Sequence, residues 1–176
     1  HYPLRRQRQM CIRDSSNTGT KSQLLGQVWD INEQQKEFLF RKLWNYFHGN
    51  LAGKTIAIWG AAFKQHTSST SFSPIHPMLA ALWAQGVTVR LHDPQALEEI
   101  HTIYGERDNL ILCEDQYDAV NQAHGLCVLT AWKQYWSLDY TQLKLKLAHP
   151  LILDGRNIYQ PDYVKSQGFA YMGVGR

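Results

Sequence analysis

Two cations, Lys64 and Arg156, follow short apolar runs, in GKTIAIWGAAFK (residues 53–64) and LILDGRN (151–157). Each run reads as a buried strand, with small or turn-forming residues beside the cation. In a parallel sheet the carboxyl ends of the strands share one edge, and ligands settle in the crevice there. Two cations delivered to that edge imply an anionic ligand, and a phosphate-bearing one is the natural candidate. Arg156 offers a planar fork of donors suited to phosphate or carboxylate, while Lys64 acts as a point charge. Phe63, directly before Lys64, is placed to flank a base or a sugar. Plainer readings stay open beside these: a solvated loop lysine next to a core phenylalanine, and a structural pair between Asp154 and Arg156.

The turn after the first run reads G-A-A-F-K from Gly60, so the three-glycine dinucleotide fingerprint is absent, and G-x-x-x-x-G-K-[ST] does not occur. This is not a standard NAD or ATP site. Ser73-Pro74 reads as a helix start, Ser73 capping and Pro74 in the first position, which would aim free N–H groups at the same crevice. Asp93, in His92-Asp93-Pro94, can cap the helix that follows or stand as a ribose-binding carboxylate. Thr130 could contact a ligand, and Trp132 could pack over the crevice or into the core. Asp154 could orient Arg156, with Gly155 letting the chain turn tightly.

The eight histidines show no metal-ligand spacing, and neither do Cys11, Cys113 and Cys127. No nucleophile–base pairing stands out, so no catalytic residue and no metal are assigned. Cys113 and Cys127 lie in apolar runs and read as small buried hydrophobes, which suits a reducing compartment. Apolar residues make up 44% and charged residues 19%, ordinary for a globular protein. The net charge of +3 is more than supplied by Arg5, Arg6, Arg8 and Arg13, so no basic face points to nucleic acid. No apolar run approaches the ~20 residues of a membrane span, and no signal-peptide apolar region opens the chain. The expected location is the cytoplasm.

Positions 1–20 read as an unstructured, non-native leader and 21–50 as a connecting or dimerisation-type helix, patterned from 24 to 47 with a stop at Gly49. Positions 51–176 read as a Rossmann-like domain. Strands are expected at 55–59, 87–92, 110–113, 126–129, 151–153 and 169–172. Helices are expected at 73–85, 94–104, 116–123, 140–147 and 161–167. Such alternation argues for an α/β, doubly wound, mostly parallel sheet.

The ordered segments GKTIAIWGAAFKQHT, SFSPIHPMLAALWAQGVTVRLHDP, LTAW, LILDGRNIY and GFAYMGVGR carry a family resemblance. Together with LLGQVWDINEQQKEFLFRKL upstream, the chain from Leu24 to Arg176 resembles the C-terminal, UDP-binding domain of UDP-glucose 6-dehydrogenases, in the UDP-glucose/GDP-mannose dehydrogenase family. The resemblance implies a longer enzyme that oxidises the sugar C6 alcohol to a carboxylate with two NAD molecules, converting UDP-glucose to UDP-glucuronate. Its NAD domain and catalytic cysteine lie outside this chain, which alone should not transfer hydride. The implied partners are a UDP-sugar, the N-terminal NAD domain and a second copy in a full-length homodimer. By the resemblance Phe63 and Lys64 match the family's F-K pair and Arg156 the Arg of its D-G-R motif, all three substrate-binding. Cofactor-binding residues are unassigned. Ser69 and Ser71 stand where the family commonly has Asp and Arg, the latter reaching towards NAD, and Ala131 replaces the acid of T-E-W. The other reading is a stand-alone nucleotide-binding or oligomerisation module without catalysis.

Overall fold

The computed structural model describes Gln27 and residues 37–175. Six short strands lie side by side: β1 (Thr55–Trp59), β2 (Thr88–His92), β3 (Leu110–Leu112), β4 (Leu126–Val128), β5 (Leu151–Asp154) and β6 (Ala170–Gly173). They pair in the order β3-β2-β1-β4-β5-β6, and every pair is parallel. Strands covered on both faces need near-continuous apolar runs, and β4 and β5 are buried at every position, β1 at all but its first. The α/β doubly wound reading is therefore what the chain adopts. From β1 the chain winds one way to β2 and β3, then returns to lay β4 on the other side of β1. That reversal puts the topological switch point between β1 and β4.

Helices α1 (Phe38–Tyr46), α2 (Ile75–Ala84), α3 (Leu97–Tyr104), α4 (Gln116–Ala119), α5 (Tyr140–Lys146) and α6 (Pro161–Ser166) complete the layers, with a 3-10 turn at Lys133–Tyr135. Helix α1 buries Leu39 and Leu43, one turn apart, in the core cluster. Lys42 shares that stripe and still finds a polar partner, its Nζ donating to Gly173 O (2.5 Å). Tyr46 Oη lies 2.7 Å from His149 Nε2, and Gly49 N–H donates back to Trp44 O (2.9 Å) where the helix stops. The remainder of the helix expected from 24, Gln27 apart, and the leader at 1–20 lie outside the described residues.

Local chemistry explains where boundaries differ from expectation. Helix α3 begins at Leu97 rather than 94, because Asp93 Oδ1 accepts from the N–H groups of Gln95 and Ala96 (2.9 and 2.8 Å) in a turn that precedes it. Helix α4 is a single turn capped by Asp115 and ends at Ala119, as Asn121 N–H bonds back to Asp118 O.

Cys113 and Cys127 are free and buried, as the sequence suggested. Burial pushes the Cys127 thiol up to about 12 and also raises Cys113, so neither is a ready thiolate. Cys11 lies outside the described residues. Among those residues no helix is long and apolar enough to cross a membrane, and no group of three or more His, Cys, Asp or Glu is placed to hold a metal.

Candidate functional site

The strand ends at the switch point are built to different depths. Gly60 leaves β1 with φ +96, its N–H donating to His92 O (2.8 Å). On its other side lies Thr130, at the end of β4, so close that a β-carbon on Gly60 would sit 2.5 Å from Thr130 Cβ. Thr130 is buried and its hydroxyl donates to Ala62 O (2.5 Å). The expected ligand contact from Thr130 therefore gives way to a bond that holds the β1 turn.

Asp93 settles its two readings by where its oxygens point. Oδ1 closes the turn ahead of α3, as described, rather than capping the helix itself. Oδ2 accepts from Ala61 N–H (2.7 Å), Ala62 N–H (3.0 Å) and Trp132 Nε1–H (3.0 Å). The residue is 2% exposed and five donors converge on it. A ribose cannot reach it. The two turn N–H groups beyond β1, which in a dinucleotide fold approach a pyrophosphate, are spent on a carboxylate of the chain itself. The switch-point cradle thus does not fit a dinucleotide phosphate. Trp132 is buried with its Nε1–H spent on Asp93, which agrees with core packing, while its outer edge meets the exposed His66 ring (5.9 Å).

The loop from Phe63 to Ser73 leaves this bracket. Its hydroxyls serve its own backbone: Thr67 Oγ1 accepts from Ser69 N–H (3.1 Å) and Ser69 Oγ from Ser71 N–H (3.3 Å). Thr70 N–H donates to Glu99 Oε2 (2.6 Å), and His76 bridges Thr70 to Tyr104 Oη. Ser73 accepts from Ile75 N–H (3.2 Å), as a cap would, although the helix starts one residue later than expected, with Pro74 at the cap position.

Arg156 joins the ends of three neighbouring strands. It follows β5, its Nε–H donates to Leu129 O at the end of β4, and its Nη2 lies 3.5 Å from Phe63 O in the loop after β1. The guanidinium thereby meets the segment that carries Phe63, 41% exposed, and Lys64, also exposed. All three sequence-predicted binding residues stand on one edge of the sheet. Among the described residues nothing accepts from Nη1, which leaves donor capacity toward an anion. Partial burial lowers the guanidinium's pKa from its ordinary value, but an arginine keeps its charge.

Asp154 does not orient Arg156 through a side-chain pair. It is fully buried, Oδ1 accepting from Arg156 N–H (2.9 Å) and Oδ2 from Tyr159 N–H (2.9 Å) and Tyr171 Oη–H (3.0 Å). It fixes the backbone from which the arginine springs. Gly155 is needed for close approach, since a β-carbon there would meet Leu39 Cδ1 at 2.6 Å and Val128 O at 2.8 Å. Sequence reasoning missed the acceptor Leu129 O and the tyrosine pair, because backbone oxygens and contacts between distant residues leave no local pattern.

Behind the edge, His92 Nδ1 lies 2.7 Å from Tyr135 Oη, and Tyr135 stacks on Trp59 (5.0 Å). Burial lowers the His92 pKa against the opposing pull of Asp93 and Asp115. A base with a depressed folded pKa stabilises the fold fully above its unfolded value, about 6.5, and the benefit drains away as pH falls toward the folded value. Urea unfolding at pH 7.5 and pH 5 should show stability declining with acid, and His92→Gln should flatten that decline. The slope from one proton cannot exceed about 1.4 kcal/mol per pH unit. An unchanged slope in His92→Gln would remove His92 as its source.

The family model described as "UDP-glucose/GDP-mannose dehydrogenase family, UDP binding domain" matches residues 57–161. The chain belongs to this family. The UDP-glucose 6-dehydrogenase of Pseudomonas aeruginosa is 39% identical over 168 residues, covering 94% of this chain and 37% of the relative. That of Rhizobium meliloti is 30% identical, with the same coverage of both chains, 94% and 37%. The chain therefore spans well under half the length of these relatives. Among solved structures, a UDP-glucose dehydrogenase from Pyrobaculum islandicum superposes with a TM-score of 0.72 at 29% identity, covering 93% of this chain and 34% of that one. A UDP-D-ManNAc dehydrogenase from Pyrococcus horikoshii gives 0.73 at 22%, over 92% and 36%, which speaks for the fold alone. The range matched by this UDP binding domain begins within β1, contains α2, β2 and the whole of the Asp93 bracket, and runs through the Asp154–Arg156 turn.

Proposed function

We propose that this chain is the UDP-sugar-binding portion of an NAD-dependent UDP-glucose 6-dehydrogenase, which oxidises UDP-glucose to UDP-glucuronate in the cytoplasm. The observation that carries the reading is the Arg156 guanidinium, tied to the ends of β4 and β5 and facing the Phe63–Lys64 segment. In this reading Arg156 and Lys64 neutralise the diphosphate and Phe63 lies against the nucleoside or sugar. The self-filled cradle at Gly60–Ala62 supports the assignment of NAD to a separate N-terminal domain, and a full-length homodimer follows from the family resemblance. The chain by itself supplies no hydride acceptor and so binds without turning over.

Calorimetric titration of the 176-residue chain with UDP-glucose tests this. Losing one charged hydrogen-bond partner costs about 1.5–3 kcal/mol, so Arg156→Ala should weaken binding about 10- to 100-fold. Lys64 is exposed and better screened, so Lys64→Ala should sit near the lower end, about 10-fold. NAD should give no heat at concentrations that saturate with UDP-glucose. Equal affinity in wild type and both variants would dismiss the site, as would tight binding of NAD.

A further inference from the structure

We infer that Asp93 is a positioning residue for the nucleotide-sugar site, setting where Lys64 stands without itself touching the ligand. The inference rests on the UDP-binding reading. At 2% exposure Asp93 cannot meet a ligand, and a carboxylate would repel a diphosphate. Its two oxygens divide their work. Oδ1 serves only the turn that leads into α3, through Gln95 and Ala96. Oδ2 serves the other side alone, through Ala61, Ala62 and Trp132.

Ala61 and Ala62 are the residues directly before the Phe63–Lys64 pair, and the bracket reaches both sides of Ala62. Its N–H goes to Asp93 and its carbonyl receives the Thr130 hydroxyl. Phe63 is then held by N–H to Ser69 O (2.9 Å), with its own carbonyl facing Arg156. Every backbone polar group from Ala61 N to Phe63 O, apart from Ala61 O, is thus engaged in an assigned bond. If Oδ2 ceases to accept, two buried N–H groups lose their partner and the turn must rotate to find another. That rotation carries Lys64 away from Arg156.

Asparagine at 93 isolates this role. Its amide oxygen can stay on the α3 side, while its NH2 group faces three donors on the other. The substitution also deletes a negative charge near the site. Charge alone would tighten an anion, whereas loss of positioning loosens it, so the direction of the change discriminates. UDP titrations followed by ligand-observed NMR, which reads millimolar dissociation constants, should show Asp93→Asn binding about 10-fold more weakly. In a Lys64→Ala background the same change should alter affinity less than about 2-fold, because the group being positioned is gone. Should Asp93→Asn fail to fold by circular dichroism, Trp132→Phe decides. It removes one Oδ2 donor with no change of charge, and should weaken UDP about 3-fold with Lys64 present and not at all without it. Unchanged or tighter binding, or an equal loss with and without Lys64, overturns the positioning role while leaving the UDP reading intact. Wild type that ignores UDP overturns both.

Discussion

Replacing Gly60 with alanine should destabilise this domain by about 3–5 kcal/mol, enough to leave a marginal fold largely unfolded. Two costs add. The residue sits at φ +96, a conformation that a side chain strains against. The new β-carbon would also lie 2.5 Å from Thr130 Cβ and 2.6 Å from Thr130 N, the latter a backbone atom that cannot swing aside. Relief by backing away is blocked, since Gly60 N–H is anchored to His92 O on the opposite side and Ala61 N–H to Asp93. Strands β1 and β4 would have to part at the switch point, and their register pairs Trp59 with Val128. Urea unfolding of wild type and Gly60→Ala measures the effect. A difference below about 1 kcal/mol would mean that the two strand ends yield more easily than their packing implies.

The sequence displayed the sheet well, because β1, β4 and β5 are covered on both faces and must be written as apolar runs such as TIAIW and LILD. It displayed less of the order in which strands pair, which depends on contacts between distant residues. Lys64 and Arg156 were visible as cations that follow such runs. How they come together was not. The bridge passes through Leu129 O and Phe63 O, and a carbonyl has no letter of its own in a sequence. Asp93 shows the same limit from the other side. Its place before Pro94 announced a cap, and one oxygen closes a turn just ahead of α3 instead. The second oxygen, turned toward Ala61 and Ala62 over 30 positions away, could only be found in space. Asp154 shows a related limit. Proximity in D-G-R leaves an ion pair open beside an orienting role, yet two residues apart in a turn the carboxylate reaches the arginine's N–H first and orients it through the backbone.

The second large effect should come from Asp154→Ala, at about 3–4 kcal/mol of stability. The carboxylate is fully buried and holds three donors: Arg156 N–H, Tyr159 N–H and Tyr171 Oη–H. Truncation strands the two backbone N–H groups and leaves Tyr171 Oη–H its longer bond to Tyr159 O (3.4 Å), and each buried donor left without a partner costs about 1–3 kcal/mol, less where water can enter the space. The Arg156 end is the more accessible, so the sum should fall well short of three full penalties. Asp154→Asn sharpens the point. Its one remaining oxygen can satisfy the two tyrosine donors if the NH2 group turns toward Arg156 N–H. Stability should then fall by only about 1–2 kcal/mol, while the turn that launches Arg156 is repelled and UDP-glucose affinity drops about 10-fold. Urea unfolding combined with UDP-glucose titration separates the two variants. If Asp154→Asn lost stability as fully as alanine but kept its affinity, the carboxylate would be holding β5 and β6 together through Tyr171. The arginine's position would then be set elsewhere, by its bond to the end of β4.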